Sequence, residues 1–469
     1  MTRTIAAALL LLAPVALAAS PPPTPSEQRI VQEARLLQAQ LVAVDTVAAN
    51  ETTALRPLVE LFRASGIPTE FLESAPGRGN LIARIKGNGS KRPLLLLAHI
   101  DVVPVADQPW TVPPFQVTEK DGYLYGRGVN DDKGMAAAIV AIALEANRSK
   151  TPLSRDLIVA LTAGEETGGD AGVGWLVDHH FDLLEAEIGL NEGAGGGLTV
   201  SDDLSHAEVV SIGLGHKTYQ SYRVVAHGRG GHSSMPLADF NPIYPLAVAL
   251  QRIGAMSFPP RVIPATRPGI AGYSATEKPP LSDALRRTAE TGTVSPADDA
   301  ILSKDPSANA YVRTTCVATM LKGSNQENVL PDSAEATVQC RLLPGDTRES
   351  VREALVRAAG DAKVEITLAR GFPARVPMPA EGEVPDAIRR VSSQFWKDVP
   401  VVEDFGFGSD DGVYLTARGV HVYGANPNPA SNEDCRLGFC AHGPNERVSA
   451  RWYAEGVRWF NALVLELER

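Results

Sequence analysis

From residue 26 to residue 64 apolar side chains recur at intervals of three and four, at Ile30, Ala34, Leu37 and Leu41 and then at Leu55, Leu58, Leu61 and Phe62. That spacing predicts amphipathic helices, each burying one face. The pattern then changes. Short unbroken apolar runs at 94–98, 157–162 and 188–190 predict strands, with helical patterns at 135–146 and 173–179 between them. A strand without polar alternation offers no face to water, so its sheet is expected to be covered on both sides and this part of the chain to be α/β.

A second pattern begins near Gly213. Residues 217–227 alternate as a strand, 239–254 read as a helix, 312–320 and 334–342 as strands joined by a turn, 347–359 as a helix and 363–368 as a strand. The order β-α-β-β-α-β is the split-βαβ arrangement, which closes as a small two-layer domain. A Pro-rich stretch, about 257–310, is too long for an ordinary loop and is read as an insertion in that domain. From Phe372 the α/β pattern resumes and ends in a helix over 450–467. The expected organisation is a large domain in two pieces, 19–212 and 373–469, interrupted by a small domain at 213–372.

The chain has 469 residues, 44% hydrophobic and 21% charged, with 44 Lys+Arg against 55 Asp+Glu and a net charge of -11. This composition excludes disorder and a miniature disulfide scaffold. An acidic chain without a Lys/Arg run is also unsuited to phosphate backbones, so no nucleic-acid partner is expected. At the N-terminus, Arg3, an apolar run over 5–17 broken only by Pro14, and small residues at Ala16 and Ala18 predict a secretory signal, 1–18, cleaved after Ala18. A membrane anchor would need about 20 apolar residues, so the mature protein is expected to be exported, periplasmic or secreted, and free of the membrane, with an uncleaved anchor as the alternative. Cys316 and Cys340 lie in β-like runs flanking a turn, and Cys435 and Cys440 close a short loop. An oxidising compartment would favour those two pairs, with four unpaired thiols as the alternative.

Candidate chemistry collects at predicted strand ends. His99 ends the run LLLLAH, with Asp101 two residues on. At the carboxyl end of a strand, where open α/β sheets bind ligands, such a pair can be a metal ligand and the carboxylate that orients it, or simply a structural histidine. Asp131 and Asp132 stand between a Gly-rich turn and a helix, which they could cap. Glu165 and Glu166 follow the second strand, Glu192 follows the third, and His442 precedes a Gly-Pro turn. Carboxylates gathered at one sheet edge repel one another unless a cation neutralises them. Nitrogen and oxygen donors without thiolate suit zinc, cobalt or manganese. Five ligands exceed what one tetrahedral ion uses, whereas two ions sharing a carboxylate would use them all.

The ordered series LLLLAHID, YGRGVNDDKG, AGEETGG, NEG, GRGGHSSMP, ENVLP and HGPNERV spans nearly the whole mature chain. It resembles the di-zinc aminoacylase/carboxypeptidase family, which includes glutamate carboxypeptidase, acetylornithine deacetylase and succinyl-diaminopimelate desuccinylase. It is most similar to the carboxypeptidase S and N-acyl-amino-acid hydrolase branch, through the Glu in its NEG context and the long insertion. The resemblance implies a three-layer zinc-exopeptidase-like catalytic domain with an inserted ferredoxin-like lid. One zinc would be held by His99 and Glu192 and the other by Glu166 and His442, with Asp131 bridging, Asp101 behind His99, a cis Asp131–Asp132 peptide and Glu165 as general base. Arithmetic supports the last role. A carboxylate of pKa about 4.3 faces a gap of about 11 units, roughly 15 kcal/mol, to bulk water, but about 3 units, roughly 4 kcal/mol, to water acidified by zinc.

The resemblance also implies that His232 binds the oxyanion, often across a dimer interface, the alternative being a turn histidine. Asn328 and Arg370 match lid residues that hold substrate polar groups, Arg370 being the candidate for a substrate carboxylate, although Arg341 could take that place and either could pair with a surface acid. Gly408, in GSDDGVYL, matches a loop beside the substrate carboxylate, with helix capping as the alternative. Two features depart from the family pattern: Gly215-His216-Lys217 before the first lid strand, and the long loop between Pro427 and His442. The expected function is hydrolysis of an amide next to a free carboxylate, in a short peptide or N-acyl amino acid, by a soluble enzyme that could form a homodimer through its lid. A narrow N-acyl-amino-acid deacylase, a silent binding protein of the same fold and a phosphoesterase are the competing readings, the last disfavoured by the lack of a basic phosphate clamp.

Overall fold

The apolar runs form the middle of a large mixed sheet. The computed structural model describes residues 20–469 except Ala48, Ala194, Gly195, 237–240 and Asp361; the expected signal, 1–18, lies outside the described residues. Among the described residues this sheet has ten strands. Leu94–His99 lies between Leu157–Thr162 and Ile188–Asn191, parallel to both, and Ile188–Asn191 is in turn parallel to His421–Gly424. Register places His99 opposite Thr162, so the segments that follow these strands leave the sheet at one edge.

Both faces are covered, as unbroken strands require. Leu94, Leu96 and Ala98 pack on one side with the helices Pro25–Val42, Lys133–Ser149 and Ala450–Leu467. Leu95 and Leu97 pack on the other with Val173, Leu176 and Leu184. The helix Lys133–Ser149 is buried from Lys133 to Ala146, because it is sandwiched between the sheet and the helix Pro25–Val42. The result is three layers. Among the described residues no helix is long and apolar enough to cross a membrane.

A second, antiparallel sheet has the order Thr315–Lys322, Ser333–Leu342, Thr218–His227, Glu365–Gly371. The helices Ile243–Gly254 and Arg348–Ala359 contribute Leu246, Ile253, Val351 and Leu355 to its core with Tyr222, Val224 and Val338. Cys316 is directly opposite Cys340 in the ladder and bonded to it, and Cys435 is bonded to Cys440. The Pro-rich stretch is not irregular. It contains four short helices, Arg267–Thr276, Leu281–Thr291, Pro296–Leu302 and Pro306–Val312, around their own core of Ile270, Leu285, Leu302 and Val312. Three of these helices carry proline in the first turn, where its missing N–H has no intrahelical partner to lose. Tyr311 ties this unit to the large sheet, its hydroxyl donating to Asp404 Oδ1 at 3.0 Å.

Candidate active site

Four successive segments bring acids and a histidine to the same sheet edge. His99 is the last residue of its strand, Glu165 and Glu166 follow Leu157–Thr162, Glu192 follows Ile188–Asn191, and Asp131 precedes the helix Lys133–Ser149. Asp131 is central: its Oδ1 lies 2.9 Å from His99 Nε2 and its Oδ2 3.1 Å from His442 Nε2. His442 Nε2 is also 3.0 Å from Glu166 Oε1. Two groups of three result, His99–Asp131–Glu192 and Asp131–Glu166–His442, each with its donor atoms within 4.8 Å of one another. The Asp131–Asp132 peptide is cis.

Asp101 and Glu446 hold this constellation from behind. The Asp101 carbonyl accepts from His99 Nδ1 at 3.0 Å, which leaves Nε2 to face Asp131. The Asp101 carboxylate accepts the Glu165 N–H on Oδ1 at 3.0 Å and the Glu166 N–H on Oδ2 at 3.1 Å. Glu446 Oε1 accepts the N–H groups of Gly128, Asn130 and Asp131, and its Oε2 takes Arg127 Nη1 at 2.6 Å.

The electrostatics are those of crowded carboxylates around two imidazoles. Removal from water raises Glu165 well above its ordinary range, with like charges on Asp411, Glu166 and Asp131 adding to it. Glu192 is raised in the same way, by burial and then by Asp131 and Asp132. Burial works against protonation of His99, but its bonds to Asp101 and Asp131 outweigh it and hold the imidazole well above its usual value. His442, bonded to Asp131 and Glu166, is pushed up to about 10. Asp131 carries the charge, since its two histidines outweigh its burial and hold it below the ordinary carboxylate range. The residues fit a pair of divalent cations: a carboxylate with one oxygen toward each imidazole, three nitrogen or oxygen donors on each side, and protons where positive charge is wanted.

Above the carboxylates opens a cleft of about 380 Å³ lined by Asp131, Glu165, Glu166, Glu192 and His442 on one side and by Tyr219, Arg341, Arg370 and Phe372 of the small domain on the other. Gly408 and Ser409 also line it. Arg341 stacks on Tyr219 at 4.8 Å and Arg370 on Phe372 at 5.6 Å, the two rings being 5.0 Å apart. Among the described residues neither guanidinium has an acidic partner, and Arg341 Nη1 is buried without a hydrogen bond. His232 and Asn328 are brought together elsewhere. They lie at an exposed two-stranded ribbon, where Gly231–His232 pairs with Val329–Leu330 and Ser233 N–H donates to the Asn328 carbonyl, and neither lines the cleft of its own chain.

The family model for Peptidase family M20/M25/M40 matches residues 95–466. The chain belongs to that family. It is therefore an enzyme of the metallopeptidase and amidohydrolase class. The chain is 29% identical over 428 residues, 87% of its length and 80% of the other, to the N-fatty-acyl-amino acid synthase/hydrolase PM20D1 of Xenopus tropicalis. Probable carboxypeptidase S-like 2 of Dictyostelium discoideum is 26% identical over 407 residues, 83% of this chain and 75% of that one. Among solved structures, the M20 family metallo-carboxypeptidase Sso-CP2 from Sulfolobus solfataricus shares the fold, with a TM-score of 0.69 and 19% identity over 93% of this chain and 99% of that one.

Against this family frame, sequence reasoning singled out every residue of the two donor groups but assigned nothing to Glu446, Arg127, Tyr219 or Phe372. Glu446 lies inside the quoted motif HGPNERV, and an acid four residues past a candidate ligand was a usable signal. Arg127 also lies inside a motif, YGRGVNDDKG, but its partner is 319 residues away, and no local signal marked Tyr219 or Phe372.

Proposed function

We propose that this member of the family is an exported di-zinc hydrolase that cleaves the amide bond of an N-acyl amino acid or short peptide with a free carboxylate. In this reading 19–212 and 373–469 form the catalytic domain and 213–372 the lid, with 257–310 inserted in it. The observation that carries it is the juxtaposition, across one cleft, of two donor groups sharing Asp131 with guanidinium groups that have no acidic partner among the described residues. His99 and Glu192 would hold one ion, Glu166 and His442 the other, and Asp131 both. A divalent pair there polarises a carbonyl and makes water acidic enough for a carboxylate to deprotonate. Glu165 stands beside it on a loop fixed by Asp101 and lines the same cleft without belonging to either donor group, the position a general base needs. Glu165 takes the proton of the attacking water on a carboxylate oxygen and gives it to the departing nitrogen as the C–N bond breaks.

Arg341 supports a carboxylate on the substrate, because a buried guanidinium nitrogen without a partner is costly until an anion meets it. Tyr219 and Phe372 offer an apolar wall, which suits an acyl group such as the one in the name of the Xenopus relative. The edge strand Thr315–Lys322 exposes Val317, Met320 and Leu321, and an unpaired apolar edge supports a homodimer formed through the lid, in which His232 and Asn328 would serve the partner's cleft. The test is a screen of N-acyl amino acids and dipeptides, each beside its carboxamide, with and without a chelator and zinc restoration. Chelator-sensitive cleavage that requires the free carboxylate is expected, and chelator-insensitive cleavage would sink the reading.

A further inference from the structure

The chain passes between the two sheets twice, and one buried carboxylate touches both passages. Outward, Ala207–His216 of the large sheet gives way to Thr218–His227 of the small one. On the return, Glu365–Gly371 is followed by an irregular stretch containing Arg375. Asp410, only 3% exposed, stands between them. Its Oδ2 lies 3.2 Å from His216 Nε2 and its Oδ1 3.5 Å from Arg375 Nη1, while Oδ1 also accepts the Gly412 N–H at 2.7 Å.

Each partner is fixed from its other side. His216 Nδ1 donates to the Lys217 carbonyl at 2.9 Å, and its Nε2, which faces Asp410 Oδ2, also lies 3.3 Å from the Asp410 backbone nitrogen. Arg375 Nη2 donates to the Val422 carbonyl of the large sheet at 2.9 Å. A Cβ at Gly193 would stand 2.3 Å from Asp410 Oδ2, so the same carboxylate packs on the residue that follows Glu192. Removal from water opposes the charge, but Arg375 and His216 outweigh it and hold Asp410 well below the ordinary carboxylate range.

We propose that Asp410 is a positioning residue that fixes the lid against the metal-ligand loops through His216 and Arg375. Arg341, Arg370 and Tyr219 belong to the small domain, whereas Asp131, Glu166 and Glu192 follow strands or precede a helix of the large one. A substrate held by both is aligned only if the two are fixed to about 1 Å, since misplacement of that size costs about 100-fold in rate. The loop that carries Asp410 contributes Gly408 and Ser409 to the cleft, next to His216, so the same contact sets that wall.

The activity arm of the test rests on the hydrolase reading above; the exchange arm does not. Zinc-loaded full-length Asp410→Asn, which keeps the shape and loses the charge, is compared with wild type and with the milder His216→Gln. On N-acetyl-methionine, Asp410→Asn is expected to lower kcat/KM by about 10- to 100-fold, mainly through KM, with far less change on the carboxamide and with metal content unchanged. Amide hydrogen exchange at 216–220 and 371–378 is expected to speed up by about tenfold or more, because these passages open locally. An acid-to-carboxamide ratio equal to wild type, or unchanged exchange at both passages, overturns the proposal. If Asp410→Asn does not fold, His216→Gln carries both measurements. If wild type cleaves neither compound, the best substrate of the screen above and its carboxamide take their place; if the screen finds none, the hydrolase reading fails and exchange alone decides the role of Asp410.

Discussion

Arg127 and Glu446 form an ion pair 2.6 Å long in which both side chains are withdrawn from water. It joins the Gly-rich turn before Asp131 to the loop that carries His442, because Arg127 Nη2 also donates to the His442 carbonyl at 3.3 Å. Burial pushes Glu446 up to about 7, with Arg127 pulling the other way. The pair is thus a scaffold for the segments that carry Asp131 and His442, and its cost of desolvation is offset by the three backbone N–H groups that Glu446 also accepts.

Removing one partner leaves the other charge buried and unpaired. Glu446→Ala is expected to lose about 3–5 kcal/mol of stability and, in whatever folds, to bind metal more weakly at the Asp131–Glu166–His442 group. Chemical denaturation with and without zinc, together with metal analysis, checks both. Unchanged stability and full metal content would show that the pair does not hold the site.

Glu165 differs from its neighbours in belonging to neither donor group while lining the cleft. Glu165→Gln should therefore retain two metals per chain and lose turnover by about 100- to 10,000-fold, the range that general acid–base groups supply. Metal analysis and kcat measured on the same preparation separate the roles. Loss of metal in parallel with activity would make Glu165 a ligand instead.

What could be read from the chain and what could not follow a physical division. His99, Glu165 and Glu192 were legible because each lies within a few residues of an unbroken apolar strand, a local pattern that places it at the sheet edge. The four-strand lid was legible from alternation, within one to three residues at most boundaries. Pairings between distant segments were not: His216 and Asp410 are 194 residues apart, and nothing local marks either as the other's partner. The insertion was recognised by its length but not as helices, since proline content alone does not reveal that the prolines sit in first turns. His232 was singled out by its motif, but it lies on an exposed ribbon and does not line the cleft, a placement that no local pattern encodes.

Arg341 and Arg370 can be told apart by charge and exposure. Arg370 is exposed and its guanidinium lies against Gly168, whereas Arg341 is half-buried with an orphaned Nη1. Arg341→Met is expected to raise KM for free-acid substrates by about 10- to 100-fold, the value of a charge-assisted hydrogen bond of roughly 1.5–3 kcal/mol, and to leave carboxamides nearly unaffected. Arg370→Met should have the smaller effect. The reverse order in steady-state kinetics would move the carboxylate to Arg370.

His442 lies between Cys440 and the turn leading to Glu446, at the end of a loop closed by the Cys435–Cys440 disulfide. A bridge closing so short a loop contributes about 2 kcal/mol in the chain-entropy account, and here that constraint acts next to the proposed ligand His442. Cys435→Ser with Cys440→Ser should fold, lose no more than about that amount, and release metal more readily from the Glu166–His442 side. Competition with a chromophoric chelator measures the difference. Equal affinity in both proteins would leave the disulfide a role in stability alone.

Metal binding should be coupled to proton release, and the direction follows from the site's own groups. Glu165 and Glu192 are raised by burial, and His99 and His442 by their carboxylate partners, His442 to about 10. Near neutral pH His442 in the metal-free cluster therefore holds a proton that it must give up, and the upward shifts of Glu192 and His99 act in the same direction, since a metal needs neutral imidazole and charged carboxylate. For His442, whose folded pKa lies above its unfolded value, the stabilisation of the metal-free form is complete below about 6.5 and is lost as pH rises through about 10. Metal competes with that bound proton, so affinity must rise with pH across this window and fall toward acid. Calorimetric titration of zinc between about pH 6 and 8, in buffers of different ionisation enthalpy, should show at least one proton released per chain. A binding constant independent of pH in that range would mean that the ligands are already deprotonated, and that positive charge from elsewhere in the fold balances the carboxylates around Asp131.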